Sequence, residues 1–279
     1  MVVRNARKKE KSDTMNIQGL QKLTLLDYPG KVACTIFTSG CNFRCPFCHN
    51  APLVLGTGQT EKYPEEEIFT FLKKRQGILD GVCVSGGEPL LQNDIERFLE
   101  QVKELGFLVK LDTNGSFPKK LKSLVQNGLA DYVAMDIKNS KRQYCKTAGI
   151  EESRELMERI QESVAFLLGH PVAYEFRTTV IQEYHTRESF EEIGRWIRGA
   201  EKYFLQSFVD SGELIGDEIN GCEKAENAGV CGGYKTLCFK RRTAWYITIY
   251  RNVKLKIHNY DIPPPPGGFF FLKKKRGCY

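Results

Sequence analysis

Apolar runs alternate with amphipathic stretches from residue 31 to residue 208, and that alternation limits the possible folds more than any other feature. "KVACTIFTS" (31–39) is short, β-branched and stopped by Gly40, the pattern of a buried strand. "PEEEIFTFLKKRQ" (64–76) follows as a helix, with Pro64 suited to its first position and three glutamates to its first turn. Ile68, Phe71 and Leu72 give it an apolar stripe, and Lys73, Lys74 and Arg75 complement the C-terminal end of its dipole. The same reading gives strands at 81–89, 107–115, 131–138, 172–180 and 202–208. Between them it gives helices at 93–106, 118–128, 152–169 and 186–200, the last capped by Thr186. Six β-then-α steps predict an α/β fold: a parallel sheet with helices outside. Six units fall short of a complete eight-fold barrel, so a partial (β/α)6 barrel, open on one side, is expected. A flat doubly wound sheet is the alternative.

The net charge of +7 hides a division. Residues 1–14 carry +3 and residues 222–279 carry +9, which leaves −5 for residues 15–221. The body is therefore mildly acidic, and the charge gives no reason to expect a nucleic-acid partner. No window reaches the roughly 18 to 20 apolar residues of a membrane span, so no membrane role is expected. The charged start MVVRNARKKEKSDT does not read as a secretory signal, and a cytoplasmic, reducing location is expected. There, ten cysteines point to metal or redox ligands rather than disulfides.

Three segments are expected. Residues 1–14 lack apolar periodicity and read as a disordered or non-native extension, with Met15 the natural start; residues 15–220 form the barrel. Residues 221–279 read as an atypical tail. In it, "PPPPGGFFFLKKK" (263–275) strings together residues encodable by runs of C, G, T and A, which suggests out-of-frame sequence from near residues 222–230. A second cluster on Cys222, Cys231, Cys238 and Cys278 is the less favoured reading of that tail.

"GCNFRCPFCHN" (40–50) places Cys41, Cys45 and Cys48 just after the first predicted barrel strand, where barrel active sites occur. Soft thiolates select iron–sulfur clusters, zinc or copper(I). A structural zinc site usually presents its ligands as paired knuckles, four in all, and the body offers no second pair. Cys34, Cys83 and Cys145 stand alone, and the first two fall inside strand patterns, where a cysteine acts as a small hydrophobe. His49 adjoins Cys48 too closely to be an easy fourth ligand.

"CNFRCPFC" resembles the Cys-x3-Cys-x-aromatic-Cys signature of the radical S-adenosylmethionine superfamily. The resemblance implies that Cys41, Cys45 and Cys48 bind three irons of a [4Fe–4S] cluster, that S-adenosylmethionine takes the fourth iron, and that Phe47 lies near its adenine. "SGGEP" (85–89) is similar to the superfamily's Gly-Gly-Glu motif, which implies that Gly86 and Gly87 admit the methionine end of the cofactor and that Glu88 accepts from its ammonium. "LDTNG" (111–115) and "MDIK" (135–138) resemble segments of glycyl-radical-enzyme activases. By that likeness Thr113 and Asn114 lie near the ribose, Asp112 and Asp136 hold a monovalent cation, and Lys138 points into the same mouth. Arg177 and His185, in "RTTVIQEYHT" (177–186), are further candidates to reach the cofactor or the partner, and His170 reads as structural.

"GLQKLTLLDYPGKVACTIFTSGCNFRCPFCHNAPLV" and "SGGEPLLQ" resemble the anaerobic ribonucleoside-triphosphate reductase activating proteins in their longer variant, over about residues 15–220. The likeness implies an oxidoreductase that cleaves S-adenosylmethionine to a 5′-deoxyadenosyl radical, which abstracts a glycine Cα hydrogen from the reductase large subunit. It also implies a flavodoxin- or ferredoxin-type electron donor. A pyruvate formate-lyase activase, a small-molecule radical synthase, and a zinc-binding or electron-carrier module are the alternatives.

Overall fold

The computed structural model of the chain describes residues 14–56, 62–208 and 214–216, and the backbone of 237–238. The sheet opens with β1 (Ile17–Thr24), which runs antiparallel to β2 (Ala33–Thr38). Then β3 (Gly81–Gly86), β4 (Leu108–Thr113), β5 (Tyr132–Asp136), β6 (Ala173–Val180) and β7 (Tyr203–Ser207) join β2 in one parallel run, in chain order. β8 (Leu237–Cys238) pairs antiparallel with β7. The six parallel strands are the six predicted from the sequence, and chain-order neighbours joined by helices form the expected partial barrel rather than a doubly wound sheet, whose strand order would reverse.

The connecting helices are α1 (Ala51–Leu55), α2 (Glu65–Lys73), a 3₁₀ turn (Pro89–Leu91), α3 (Ile95–Glu104), α4 (Pro118–Gln126), α5 (Tyr144–Ala148), α6 (Arg154–Leu168) and α7 (Arg187–Trp196). Pro64 sits at the N-cap of α2, one residue before the position expected for it. Thr186 caps α7 in a reciprocal box with Ser189, and the Ser153 hydroxyl accepts from the Leu156 N–H at the start of α6. Two elements escape the sequence reading at five residues each: α1 and α5, both closed by a glycine in the left-handed region (Gly56 and Gly149). β1 escapes it too.

Strand periodicity divides the sheet into two unlike faces. Val82, Val84, Val109, Leu111, Val133, Met135, Tyr174 and Phe176 are buried on the face packed by Ile68, Leu72, Phe98, Leu99, Leu121, Leu124, Ile160 and Val164 of the helices. Each side chain so buried contributes about 1.5–3 kcal/mol. The alternate residues Cys83, Ser85, Lys110, Asp112, Asp136, Glu175 and Arg177 line the concave side. At its lower end Tyr28, Ala33 and Tyr132 form a separate small apolar cluster. Of the expected end segments, residues 1–13 and nearly all of the tail lie outside the described residues.

Candidate radical cofactor site

The three cysteines lie on the loop that leaves the C-terminal end of β2. That loop is held on every side by backbone. Gly40 N donates to Leu53 O (2.9 Å), Arg44 N to Ala148 O (3.0 Å), and Gly216 N to Pro46 O (3.0 Å). The Asn50 side chain donates to Gly86 O (2.8 Å), and the His49 ring lies 5.1 Å from that of Phe208. Phe47 is buried against the Tyr184 ring at 5.9 Å. Cys45 is buried, while Cys41 and Cys48 are partly exposed.

Burial pushes the Cys41 thiol up to about 12 and Cys45 to about 11, and raises Cys48 as well. Ionising them therefore calls for a bound cation. The Cys41 sulfur accepts from the Phe43 N–H at 3.3 Å, with Asn114 Nδ2 at 3.9 Å, and N–H donors of this kind stabilise a ligating thiolate. Among the described residues, no group of three His, Cys, Asp or Glu is gathered as a single metal ion requires. Three soft donors on one loop, with N–H groups aimed at a sulfur, suit a polynuclear iron–sulfur centre.

The Gly-Gly-Glu segment ends β3 against that loop. Gly87 N donates to Thr38 O (2.9 Å) and Glu88 N to Gly40 O (2.8 Å). A Cβ on Gly87 would meet Gly40 O at 1.9 Å, and one on Gly86 (φ +113°) would meet Thr38 backbone at 2.4 Å. The chain's own backbone is thus what excludes side chains at both positions. Glu88 is fully buried. Its Oε1 accepts from Thr113 Oγ1 (2.8 Å) and Leu90 N (3.1 Å), and its Oε2 from Asn114 N (2.7 Å). Burial raises its carboxyl to about 7 against those donors. In this structure Glu88 clamps β3 to the turn after β4. Asn114 is turned the same way: its Nδ2 donates to Asn42 Oδ1 (3.0 Å), and its Oδ1 accepts from Ser116 N (2.9 Å) and Ser116 Oγ (2.6 Å).

On the concave side the ends of β4, β5 and β6 carry a ladder of alternating charge. Lys110, almost wholly buried, is ion-paired to Asp112 Oδ1. Arg177 reaches Asp112 Oδ2 through Nη1 (3.4 Å) and Asp136 Oδ1 through Nε (3.1 Å). Lys138 Nζ completes the run on Asp136 Oδ2 at 2.9 Å. Burial alone would raise Asp136, but the Lys138 ammonium and then Arg177 outweigh it and hold the carboxyl at about 2. Asp112 is likewise held down by Arg177 and Lys110 against its burial. The sequence reading named Asp112, Asp136, Lys138 and Arg177 but missed Lys110, because a lysine alternating with apolar residues looks like a solvent-facing one.

His185 is held beside Lys138. It is buried against Phe190, its Nδ1 accepts from Ile181 N (3.2 Å), and its Nε2 donates to Lys138 O (2.8 Å). Burial lowers its pKa, so the neutral ring holds the backbone of Lys138.

The radical SAM superfamily model matches residues 35–197, a stretch that contains the cysteine loop, the Gly-Gly-Glu segment and the charge ladder. The chain belongs to the radical SAM superfamily. It is 34% identical over 198 residues to a Methanocaldococcus jannaschii protein provisionally named a glycyl-radical enzyme activating enzyme, a match covering 69% of this chain and 79% of that one. It is also 33% identical over 135 residues to the pyruvate formate-lyase-activating enzyme of Listeria monocytogenes; that match covers 44% of this chain and about half (52%) of the relative. The radical SAM fold recurs in the structure of Streptococcus suis SuiB bound to its precursor peptide SuiA. There the TM-score is 0.54 and the identity 14%, over 69% of this chain and 43% of that one. The protein is thus a radical SAM chain related to glycyl-radical-enzyme activating enzymes, a family whose members use S-adenosylmethionine and an iron–sulfur cluster. Among the described residues no helix is long and apolar enough to cross a membrane.

Proposed function

We propose that this chain activates a glycyl-radical enzyme, with anaerobic ribonucleoside-triphosphate reductase as the partner. The observation that carries the reading is the convergence of the three-cysteine loop after β2 with the charged ends of β4, β5 and β6 at one mouth of the barrel. A [4Fe–4S] cluster held there would supply the electron for reductive cleavage of S-adenosylmethionine, the source of the radical chemistry that an activase directs at a glycine Cα of its partner. Cys41, Cys45 and Cys48 would hold the cluster, and Phe47, buried against Tyr184, packs the loop that carries them. Lys138 and Arg177 set a positive field suited to the carboxylate of the cofactor, and Gly86 and Gly87 let the β3 loop lie close beside it. Glu88, with Thr113 and Asn114, fixes the two loops relative to each other, and His185 fixes the Lys138 backbone. The choice of reductase rests on the likeness of residues 19–54 to its activating proteins.

Anaerobic reconstitution tests both parts. The protein is expected to hold about four irons on its three cysteines, to form 5′-deoxyadenosine with dithionite, and to raise a glycyl-radical EPR signal in the reductase. Colourless protein holding a single zinc would overturn the chemistry. A signal with pyruvate formate-lyase and none with the reductase would overturn the partner.

A further inference from the structure

We propose that Arg177 is a tethered counter-ion occupying the place of a monovalent metal cation between Asp112 and Asp136, so that this site works without sodium or potassium. The two aspartates at neighbouring strand ends are the cation site that the resemblance to glycyl-radical-enzyme activases implies. In the structure each of their four carboxylate oxygens already faces a fixed positive group: Asp112 Oδ1 faces Lys110, Asp112 Oδ2 and Asp136 Oδ1 face Arg177, and Asp136 Oδ2 faces Lys138. Asp112 Oδ2 also accepts from Ser85 Oγ at 3.0 Å. The cation therefore does not fit these residues.

The register explains how one side chain serves both acids. Arg177 on β6 is level with Asp136 on β5, and Asp112 on β4 is level with Ala134, two residues lower. A long guanidinium with several N–H donors spans that diagonal, Nε to the near acid and Nη1 to the far one, where a single ammonium would meet only one. Charge gives the same answer. Arg177 brings between the two acids the single positive charge that one bound monovalent ion would bring, with Lys110 and Lys138 on the outer oxygens in either case and Glu175 as a further buried carboxylate acting on the guanidinium. A further ion would bring a like charge into a half-buried space. A tethered cation also gives up no translational freedom to sit there, whereas a free ion does.

The proposal deepens the activase reading, on which it rests only for what the positive cluster faces. Its test needs no cofactor. Thallium(I), followed by its own NMR shift and linewidth, is titrated into the full chain, and thermal unfolding is compared in potassium and tetramethylammonium chloride. Wild type is expected to show no saturable thallium binding and the same melting temperature in both salts. Arg177→Met exposes the two acids, so it should bind thallium saturably and melt about 3 °C higher in potassium. Both effects should vanish in Arg177→Met/Asp136→Asn. Saturable thallium binding by wild type that Asp136→Asn abolishes would overturn the proposal, and this comparison decides even if Arg177→Met fails to fold. A folded Arg177→Met that takes up no thallium would overturn it as well. Loss of S-adenosylmethionine binding in every salt would instead sink the activase reading and leave the thallium result standing.

Discussion

The two faces of β3 to β6 follow opposite rules. Toward the helices, Val84, Leu111, Met135 and Phe176 are interchangeable in principle with apolar residues of similar volume, because shape and area are all that face asks for. On the concave side, Lys110, Asp112, Asp136 and Arg177 satisfy one another group by group, and no single member can change without stranding another. Buried ion pairs add little net stability once desolvation is counted. The contrast teaches that one face of each strand holds the fold while the other is shaped by what the barrel mouth must do.

Five substitutions would break or sharpen that contrast. Cys45→Ser, at the mouth, is expected to abolish cluster retention and 5′-deoxyadenosine formation, whereas Cys83→Ser, lower on the concave side, should keep the full iron content. Iron counting on both variants checks this, and loss of iron in both would erase the distinction between mouth and lumen. On the helix face, Phe176→Ala should cost about 3–5 kcal/mol of stability and leave S-adenosylmethionine affinity unchanged, as read by urea unfolding and equilibrium binding. Lys110→Met should cost about 3 kcal/mol by stranding Asp112. Adding Asp112→Asn should recover most of that loss, and a Phe176-like cost that the second change does not relieve would show that packing governs both faces.

The smallest effect concerns pH. Glu88 binds its proton more tightly folded (about 7) than at its ordinary value of 4.5. Between those values the folded chain holds the extra proton, so stability falls as pH rises through this window and levels off above about 7. The fall is at most about 3 kcal/mol. Urea unfolding of metal-free protein at about pH 5 and about pH 8 should show that slope, and Glu88→Gln should flatten it. Gln also leaves the Asn114 N–H without its acceptor, which lowers stability at both pH values. A slope that persists in Glu88→Gln would assign the titration elsewhere.

The fold was legible wherever local pattern and tertiary demand agreed. The six parallel strands are apolar on the helix side and each begins within four residues of a glycine, so local pattern placed them. β1 was not legible: IQGLQKLT pairs irregularly with β2, with register shifts at both ends, and its exposed Leu23 carries no inward signal. α1 and α5 are too short to carry a helical period, and long-range contacts such as Arg44 N to Ala148 O help hold α5. At the site, sequence could nominate Asp112, Asp136 and Arg177 as strand-end charges. It could not show that one guanidinium joins both acids, because that depends on register across three strands. Nor could sequence show the partners of Glu88 and His185, Thr113 with Asn114 and the Lys138 carbonyl, because those lie in other loops.

The charge ladder also bears on how the molecule breathes. Lys110 and Arg177 lie on different strands, and no pair of adjacent strands can satisfy the whole run. Peeling β6 away would remove the guanidinium from both acids, leaving Asp112 with Lys110 and the Ser85 hydroxyl and Asp136 with Lys138 in a part-desolvated space. Small local openings that expose single strands are therefore disfavoured, and β4, β5 and β6 should open together. Their amide protons would then exchange with solvent at one shared free energy, a single cooperative unit beneath the more loosely tied loops.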